Sequence, residues 1–220
     1  MVNLAREKRL FLMEALWPPF QPFYTKAKEI LKSGVLGRVT NMHAWFSFKP
    51  PYEPHDRKFN LALGGGSLLD IGIYPVIDCL TFMGVPDEIK SLASFAPTGS
   101  EDSLNAIFRY NDGRLASLYS SFRTNNGIGC TLYCENGNLT VSRGRDMNQY
   151  VWLDLNGNER QEYVYNPEAM GYHWEAAEVM KCLDEGKAES DVVPLDFSLN
   201  LIKTLDRIRE AAGIVYPGRD

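Results

Sequence analysis

The sequence lacks the features that mark several large protein classes. No apolar run approaches the roughly 20 residues that a transmembrane helix needs, so a membrane protein is not expected. Basic residues are not in excess, because 23 Lys and Arg stand against 28 Asp and Glu and give a net charge of −5. This balance disfavours nucleic acid as the main partner. The 220 residues also contain no GxGxxG turn and no GxxxxGK[ST] loop, so the sequence itself shows no nucleotide-binding loop.

Cysteine is scarce as well. The four cysteines are Cys79, Cys130, Cys134 and Cys182. They are too few and too scattered for a disulfide scaffold, and no CxxC pair is present for zinc, so buried reduced thiols are expected. The stretch Leu10–Leu16 follows basic residues as in a signal peptide, but Glu14 interrupts it and Pro18-Pro19 replaces the small residues of a cleavage site. We therefore expect a cytoplasmic protein without a targeting segment.

The chain opens in an unusual way for a domain. Residues Leu4–Lys8 are typical of the end of a polar helix, and Leu10–Ala15 predict a short buried strand. Pro22 then fits the first turn of a helix over Tyr24–Lys32, which ends at Ser33-Gly34. This order is typical of the last part of an αβ unit.

The rest of the chain predicts an α+β fold. Residues 38–49 alternate like a half-buried strand, with Met42, Ala44, Phe46 and Phe48 on one side. Three dipeptides predict tight hairpins between β-rich runs: Asp112-Gly113, Asn136-Gly137 and Asn156-Gly157. With a further strand at 88–96, they give an open, mainly antiparallel sheet of about six to eight strands. Helices over about 171–185 and 195–212 are expected to cover one face, the last through the apolar stripe Phe197, Leu201, Leu205, Ile208 and Ala212.

The other face of this sheet is also expected to carry apolar side chains. The candidates are Ile107, Leu118, Phe122, Leu132 and Trp152. A sheet covered on one side only is normally polar on the other, so an apolar open face predicts a second subunit. We expect a homodimer formed through the open sheet face.

The most informative segment is Gly64-Gly65-Gly66-Ser67-Leu68-Leu69-Asp70-Ile71-Gly72-Ile73-Tyr74-Pro75. It predicts a helix with the apolar stripe Leu69, Ile73, Val76, Leu80 and Met83, closed by Gly84. Asp70 and Tyr74 are four residues apart and share a different side of that helix. Gly72 lets another group approach closely, and Pro75 is expected to bend the helix. A carboxylate and a phenol that point the same way suit proton transfer with a hydroxyl, although a helix-capping Asp70 and a packing Tyr74 remain the alternative.

Three segments together resemble a known family. They are Phe11–Trp17 (FLMEALW), the Gly64–Pro75 segment and the closing Tyr216-Pro217-Gly218, with further likeness at His173–Val179 and Leu199–Arg209. The chain resembles the C-terminal part of the glucose–fructose oxidoreductase/inositol dehydrogenase (Gfo/Idh/MocA) family, in its branch of dimeric dihydrodiol dehydrogenases and NADP-dependent D-xylose dehydrogenases. The resemblance implies residues 1–24 as the last part of a nucleotide-binding Rossmann domain. It implies residues 25–220 as the α+β substrate-binding and dimerisation domain.

The resemblance also implies an activity and its residues. Family members move a hydride between NADP or NAD and the hydroxyl-bearing carbon of a sugar, polyol or dihydrodiol. The family's acid/base tyrosine falls on Tyr74 and its partner aspartate on Asp70. The resemblance places Glu14 and Trp17 near the nicotinamide and the substrate, with a helix-entry acid and a packing indole as the alternative. Two further candidates are Phe48, as a wall of the substrate pocket or a core residue of its strand, and Arg57, as a contact to substrate or phosphate or a solvated loop residue. No metal is expected, because His43 and His55 have no partner at ligand spacing and His173 beside Glu175 is a weak pair.

The departures from the family are equally informative. The Rossmann glycine turn and the Glu-Lys-Pro segment, whose lysine completes the family's active site, have no counterpart here. Pro18-Pro19 also stands where the branch commonly has polar residues. A free tyrosine has a pKa of about 10, and a nearby ammonium would favour its phenolate. We therefore expect the 220-residue chain alone to bind NADPH poorly and to show no appreciable turnover. A non-catalytic dimerisation module and a sugar-binding module remain open.

Overall fold

The structure is a computed structural model that describes residues 1–144, 148–157, 160–166 and 170–216. The helices are α1 (Val2–Lys8), α2 (Pro22–Lys32), α3 (Ile73–Met83), α4 (His173–Asp184) and α5 (Leu195–Ala212). The strands are β1 (Val39–Ser47), β2 (Glu88–Phe95), β3 (Glu101–Arg109), β4 (Leu115–Ser121), β5 (Gly127–Cys134), β6 (Gly137–Arg143), β7 (Gln149–Leu155) and β8 (Gln161–Tyr165). Two 3₁₀ turns, Pro18–Phe20 and Leu61–Leu63, and one π-helical turn, Leu68–Gly72, complete the described elements.

The strands form one eight-stranded sheet in the order β2-β3-β4-β1-β5-β6-β7-β8. Only β1 and β4 pair in parallel, and the other neighbouring strands are antiparallel. The predicted α+β class with a large, mainly antiparallel sheet is therefore confirmed. The three predicted hairpins join β3 to β4, β5 to β6 and β7 to β8, where Gly113 and Gly157 have the positive φ that tight turns require.

Helices cover one face of this sheet, as predicted. α3 lies on β1, α5 on β2 and α2 on β7. α4, which corresponds to the helix predicted over 171–185, packs mainly on the 3₁₀ turn Pro18–Phe20 instead of the sheet. Within the predicted stripe of α5, Leu201, Leu205 and Ile208 are buried against the sheet. Met42 and Ala44 of β1 face the same core. Burial of these apolar side chains is the main force that holds the helices on the sheet.

The predicted strand at Leu10–Ala15 is wrong. Residues 10–16 have no regular structure, and Leu10 is exposed. A strand needs a neighbour to satisfy its backbone groups, and here the backbone contact to a distant segment is a single hydrogen bond from the Leu12 N–H to the Ala188 carbonyl oxygen. The polar helix before it is present as α1, and the boundary between residues 1–24 and 25–220 stays a prediction.

The predicted open face is correct only in part. Ile107 and Trp152 lie on that face, in one row with His43 and Thr131 across the sheet. Leu118 and Leu132 pair with Ala44 and Met42, so they point into the helix-covered core instead. Phe122 follows the end of β4 and packs in a second, small core with Phe59, Ile71 and Ala96. Phe122 is four residues after Leu118, so alternation along this segment directs both side chains to the covered side of the sheet.

Three remaining observations bear on the sequence predictions. All four cysteines are free thiols; Cys134 is half-buried and the others are buried. Residues Leu61–Met83 are long and apolar enough to pass for a membrane span, but 67% of that window is buried inside the fold. In the closing Tyr216-Pro217-Gly218 motif, Tyr216 is buried, and Pro217 and Gly218 lie outside the described residues.

Candidate functional site

Asp70 and Tyr74 lie on consecutive turns of one helical segment, but the two turns differ. Asp70 is in the π-helical turn, whereas Tyr74 is the second residue of α3. Pro75 explains the change, because proline has no N–H to donate to the carbonyl four residues earlier and its ring crowds that carbonyl in a regular α-helix. The wider turn before it relieves this conflict. Single π-turns of this kind are frequent at functional sites.

The π-turn also shifts the buried side of the helix. Leu68 and Ile71 are buried, while Leu69, predicted to head the apolar stripe, is exposed. Val76, Leu80 and Met83 are buried as predicted. The extra residue per turn rotates the side chains before residue 73 relative to those after it.

Asp70 is held by Arg57. The Arg57 guanidinium donates a hydrogen bond to Oδ1 of Asp70, and the two groups form an ion pair. The Asp70 side chain is mostly buried, whereas that of Arg57 is 68% exposed. The Asp70 carboxylate thus accepts its hydrogen bond from a side chain of the proline-rich loop and not from the backbone N–H groups of its own helix. The helix-capping alternative for Asp70 is therefore wrong.

Tyr74 is half-buried, and its ring meets that of Phe46 edge-on, with ring centroids 5.4 Å apart. Burial raises the pKa of the Tyr74 phenol, and Tyr172 and the carboxylates of Asp70 and Glu175 act in the same direction. The Arg143 guanidinium at the end of β6 opposes this by lowering the pKa. At neutral pH the Tyr74 phenol therefore holds its proton.

At two of the three glycines before the π-turn, the space for a side chain is filled by the protein itself, whereas a Cβ at Gly64 would meet nothing within 4 Å. A Cβ at Gly65 would lie 2.7 Å from the backbone nitrogen of Asn60, and one at Gly66 would lie 2.1 Å from Oε2 of Glu101. Gly72 lets β4 approach, since a Cβ there would meet Oγ of Ser120 at 3.0 Å. The predicted close approach at Gly72 is therefore made by the sheet.

Glu101 is a residue that the sequence analysis missed. Its carboxylate is fully buried below the glycine turn and accepts a hydrogen bond of 2.7 Å from the backbone N–H of Leu68. Burial raises the pKa of Glu101 to about 7. Alternation through Leu104 and Ala106 places Glu101 on the open face, but a register shift opposite Phe95 turns it inward. Sequence periodicity carries no signal for such a bulge.

Phe48 joins a series of aromatic contacts that starts at Tyr74. Its ring centroid lies 6.1 Å from that of Phe46 and 5.5 Å from that of Phe122. Phe122 in turn contacts Phe59 at 5.5 Å. Phe48, predicted at the substrate, therefore lies one ring removed from Tyr74 and is half-buried.

Glu14 and Trp17, predicted near the cofactor, occupy the segment before α2. Glu14 is exposed. The Trp17 indole N–H donates to the Met170 carbonyl oxygen at 2.8 Å, and the Arg143 guanidinium lies 5.4 Å from the centre of the indole. Trp17 thus lies beside Arg143, whose positive charge lowers the pKa of Tyr74.

A second buried carboxylate lies one turn beyond Tyr74 on α3. Asp78 is buried and accepts hydrogen bonds from the Tyr24 hydroxyl and the Cys130 thiol. Burial raises the pKa of Asp78 to about 7. Asp78, Tyr24, Trp17 and Arg143 also line a cavity of about 20 Å³, the size of one water molecule. No sequence pattern singles out Asp78 as a site residue.

The histidines were expected to hold no metal. Nδ1 of His43 lies 2.9 Å from Oγ of Ser117, and its ring stacks on Trp45. Within the described ranges no group of three or more His, Cys, Asp or Glu residues is arranged to hold a metal ion.

Comparison with known proteins identifies similar chains. A family model described as the GFO/IDH/MocA C-terminal domain matches residues 24–140, a range that contains Phe48, Arg57, Asp70 and Tyr74. Trans-1,2-dihydrobenzene-1,2-diol dehydrogenase from Mus musculus is 31% identical over 237 residues, which cover 99% of this chain and 66% of the relative. The enzyme of that name from Bos taurus is 32% identical, and the match covers 99% of this chain and 67% of the bovine enzyme.

Solved structures share the fold. The aldose-aldose oxidoreductase from Caulobacter crescentus, complexed with glycerol, superposes with a TM-score of 0.81 at 21% identity. The match covers 96% of this chain and 64% of the oxidoreductase chain. The 3-ketoreductase KijD10 from Actinomadura kijaniata, in complex with NADP and TDP-benzene, gives a TM-score of 0.80 at 21% identity, with 96% and 65% covered. The chain thus spans about two thirds of the length of the proteins it matches.

Proposed function

Because this chain belongs to the GFO/IDH/MocA family, whose C-terminal domain model matches residues 24–140, we propose that it forms the substrate side of an NAD(P)-dependent oxidoreductase. The reaction is the transfer of a hydride between a nicotinamide and the hydroxyl-bearing carbon of a sugar, polyol or dihydrodiol. The activities after which the mouse dehydrogenase, the aldose-aldose oxidoreductase and the 3-ketoreductase are named support this class.

One observation carries the proposal. The matched range contains a carboxylate and a phenol, Asp70 and Tyr74, four residues apart on one helical segment and close enough for the carboxylate to raise the pKa of the phenol. A bound nicotinamide supplies or accepts the hydride at the reacting carbon. In reduction the Tyr74 hydroxyl gives its proton to the carbonyl oxygen and becomes a phenolate, and in oxidation the Tyr74 phenolate takes the proton of the substrate hydroxyl.

The pKa of Tyr74 favours one direction of proton transfer. Since burial raises this pKa, the phenol is protonated at neutral pH and is ready to donate. In oxidation, Tyr74 must act as a base, and a cation near the phenol favours that role. Among the described residues, Arg143 carries a positive charge that lowers the pKa of Tyr74. Asp70, fixed by Arg57, orients the substrate hydroxyl by accepting a hydrogen bond from it.

The described residues fit the substrate side better than the cofactor side. A phosphate cradle needs backbone N–H groups that a ligand can approach, whereas Gly65 and Gly66 are closed off by Asn60 and Glu101. The segment with Glu14 and Trp17 would flank the nicotinamide. We expect the 220-residue chain alone to bind NADPH poorly, with no appreciable turnover.

The test is a kinetic comparison on the protein in the full length that its gene encodes. With NADP or NAD and a panel of aldoses, polyols and dihydrodiols, Tyr74→Phe is expected to lower kcat by about a hundredfold or more, with little change in KM. Tyr163→Phe is the control, because Tyr163 is a tyrosine of β8 whose hydroxyl bonds Gln161. Unchanged turnover in Tyr74→Phe would contradict the proposal. Thermal protection by a sugar without turnover would support a sugar-binding module instead.

We further propose that the protein is a homodimer built on the open sheet face. Apolar side chains on that face are exposed, among them Leu92 at 81% and Ile107 at 54%. Such a face on a sheet covered from one side only favours burial against a second copy.

We also propose a cytoplasmic location, which the four free thiols support. Cell fractionation tests this location, and recovery from a secreted or membrane fraction would contradict it.

A further inference from the structure

The Glu101 carboxylate lies directly below the backbone that carries Asp70. Oε1 of Glu101 accepts the backbone N–H of Leu68 at 2.7 Å, at the first residue of the π-turn. Oε2 has no hydrogen-bond partner among the described residues. A fully buried, half-satisfied carboxyl group is costly to retain, and residues of this kind need an explanation beyond packing.

The glycine turn is shaped around this carboxyl group. Gly66 has a φ of +150°, and a Cβ at that position would lie 2.1 Å from Oε2 and 2.3 Å from Oε1 of Glu101. The carboxyl group therefore occupies the space where the side chain of any other residue at position 66 would begin. Glu101 and Gly66 fit each other as a pair.

Two further contacts anchor the same segment to β4. Oγ of Ser67 lies 3.1 Å from Oγ of Ser120, and Gly72 packs on the same serine. The segment that bears Asp70 is therefore fixed at residues 66–68 by Glu101 and at residues 67 and 72 by Ser120. Of these anchors, only Glu101 can change charge.

We propose that Glu101 is a positioning residue for the reaction proposed above: its carboxyl group fixes the glycine turn and the first residue of the π-turn, and so sets how Asp70 and Tyr74 face the substrate. This inference rests on the proposed function for its catalytic meaning. The charged groups that act on Glu101 are Asp102 beside it in β3 and Arg209 of α5. When Glu101 loses its proton, the hydrogen bond from the Leu68 N–H strengthens, because that bond favours the charged form. The buried charge at the same time costs desolvation free energy, so the two protonation states hold the π-turn with different strength.

The test uses a signal from Tyr74 that does not depend on activity. The protein is labelled with 3-fluorotyrosine, and the fluorine NMR resonance of Tyr74 is assigned by its loss in Tyr74→Phe. In the wild type this resonance is expected to move between about pH 6 and about pH 8, and Glu101→Gln is expected to remove the part of that movement due to Glu101. Asp78→Asn is measured in parallel, because Asp78 titrates in the same range one turn from Tyr74.

Kinetics of the full-length protein give the second readout. Glu101→Leu is expected to lower kcat by about tenfold or more with a smaller effect on KM, since misplacement of the reacting groups affects the transition state most. Glu101→Gln, which keeps an acceptor for the Leu68 N–H, is expected to restore most of kcat and to flatten its pH profile near neutrality. Glu178→Gln is the control, because that mostly buried carboxylate of α4 accepts a hydrogen bond from the Ser190 hydroxyl.

The outcomes separate this inference from the proposed function. If Tyr74→Phe abolishes turnover but the Glu101→Gln resonance and pH profile match the wild type, the role of Glu101 is wrong and the reaction stands. If no substrate is turned over, the fluorine signal still decides the role of Glu101. If Glu101→Leu does not fold, the comparison of Glu101→Gln with the wild type decides whether Glu101 has the proposed role.

Discussion

The guanidinium of Arg57 donates a hydrogen bond to the carboxylate of Asp70, and this contact joins the proline-rich loop after β1 to the helical segment of the candidate site. Most of the Arg57 side chain is in solvent. An ion pair with an exposed partner adds little to folding stability. Its consequence is geometric, because it fixes the direction of the Asp70 carboxylate beside Tyr74.

Replacing Arg57 therefore tests orientation separately from stability. In Arg57→Met, kcat for the proposed reaction is expected to fall by about tenfold, while the melting temperature stays nearly unchanged. Arg38→Met is the matched control, because Arg38 is another exposed arginine that pairs with a loop aspartate, Asp112. Equal kinetic effects in the two variants, or a large loss of stability in Arg57→Met, would show that the ion pair does not orient Asp70.

Much of the fold follows from local signals in the sequence. Asp112-Gly113, Asn136-Gly137 and Asn156-Gly157 each lie at the junction of two paired strands, and the glycine of each pair has a positive φ. The stripe of α5 is similarly local, since a period of 3.6 residues places its members on one side. Asp70 and Tyr74 are four residues apart, but the π-turn between them departs from the 3.6-residue period, so spacing alone does not set how their side chains face each other.

What the sequence could not predict depends on departures from regular geometry. The π-turn moved Leu69 to the surface, and the register shift opposite Phe95 turned Glu101 into the core. The contact between Arg57 and Asp70 depends on the path of an irregular loop. Each of these features is set by tertiary contacts that no local pattern records.

The fit between Gly66 and Glu101 predicts a large loss of stability in Gly66→Ala. The new Cβ would lie 2.1 Å from Oε2 of Glu101, so the expected cost is about 2–4 kcal/mol from the clash and the strained backbone. Gly34→Ala is the control, because Gly34 also has a positive φ but nothing lies within 4 Å of its Cβ position. In denaturant unfolding, the loss in Gly66→Ala is expected to shrink when Glu101→Ala is added. Strict additivity of the two changes would contradict the proposed fit.

The two buried carboxyl groups predict that the protein is less stable at pH 8 than at pH 5. Burial raises the pKa of both Glu101 and Asp78 to about 7 in the folded state, whereas in the unfolded chain both ionise near pH 4. Between about pH 4 and about pH 7 the folded protein therefore holds more protons than the unfolded chain. Its stability falls as the pH rises through that range and levels off above it.

The size of this effect is measurable. One pKa unit corresponds to roughly 1.4 kcal/mol, so the two groups together are expected to lower the melting temperature by roughly 10–20 °C between about pH 5 and about pH 8. Glu101→Gln and Asp78→Asn should each flatten part of the dependence, and Glu14→Gln, at an exposed carboxylate, should not. A melting temperature that rises steadily from about pH 5 to about pH 8 would show that neither carboxyl group has the raised pKa.

The open sheet face predicts a dimer that a single charge can disrupt. Ile107 lies on that face in β3 and is 54% exposed, whereas Ile202 of α5 has a similar exposure of 49% on a helix on the other side of the sheet. Burying an unpaired carboxylate in an apolar interface costs several kcal/mol, so Ile107→Glu is expected to give monomers in sedimentation velocity at micromolar concentration. Ile202→Glu is expected to remain dimeric. A wild-type protein that sediments as a monomer would show that no such dimer forms. Dissociation caused by Ile202→Glu but not by Ile107→Glu would show that the interface lies on another face.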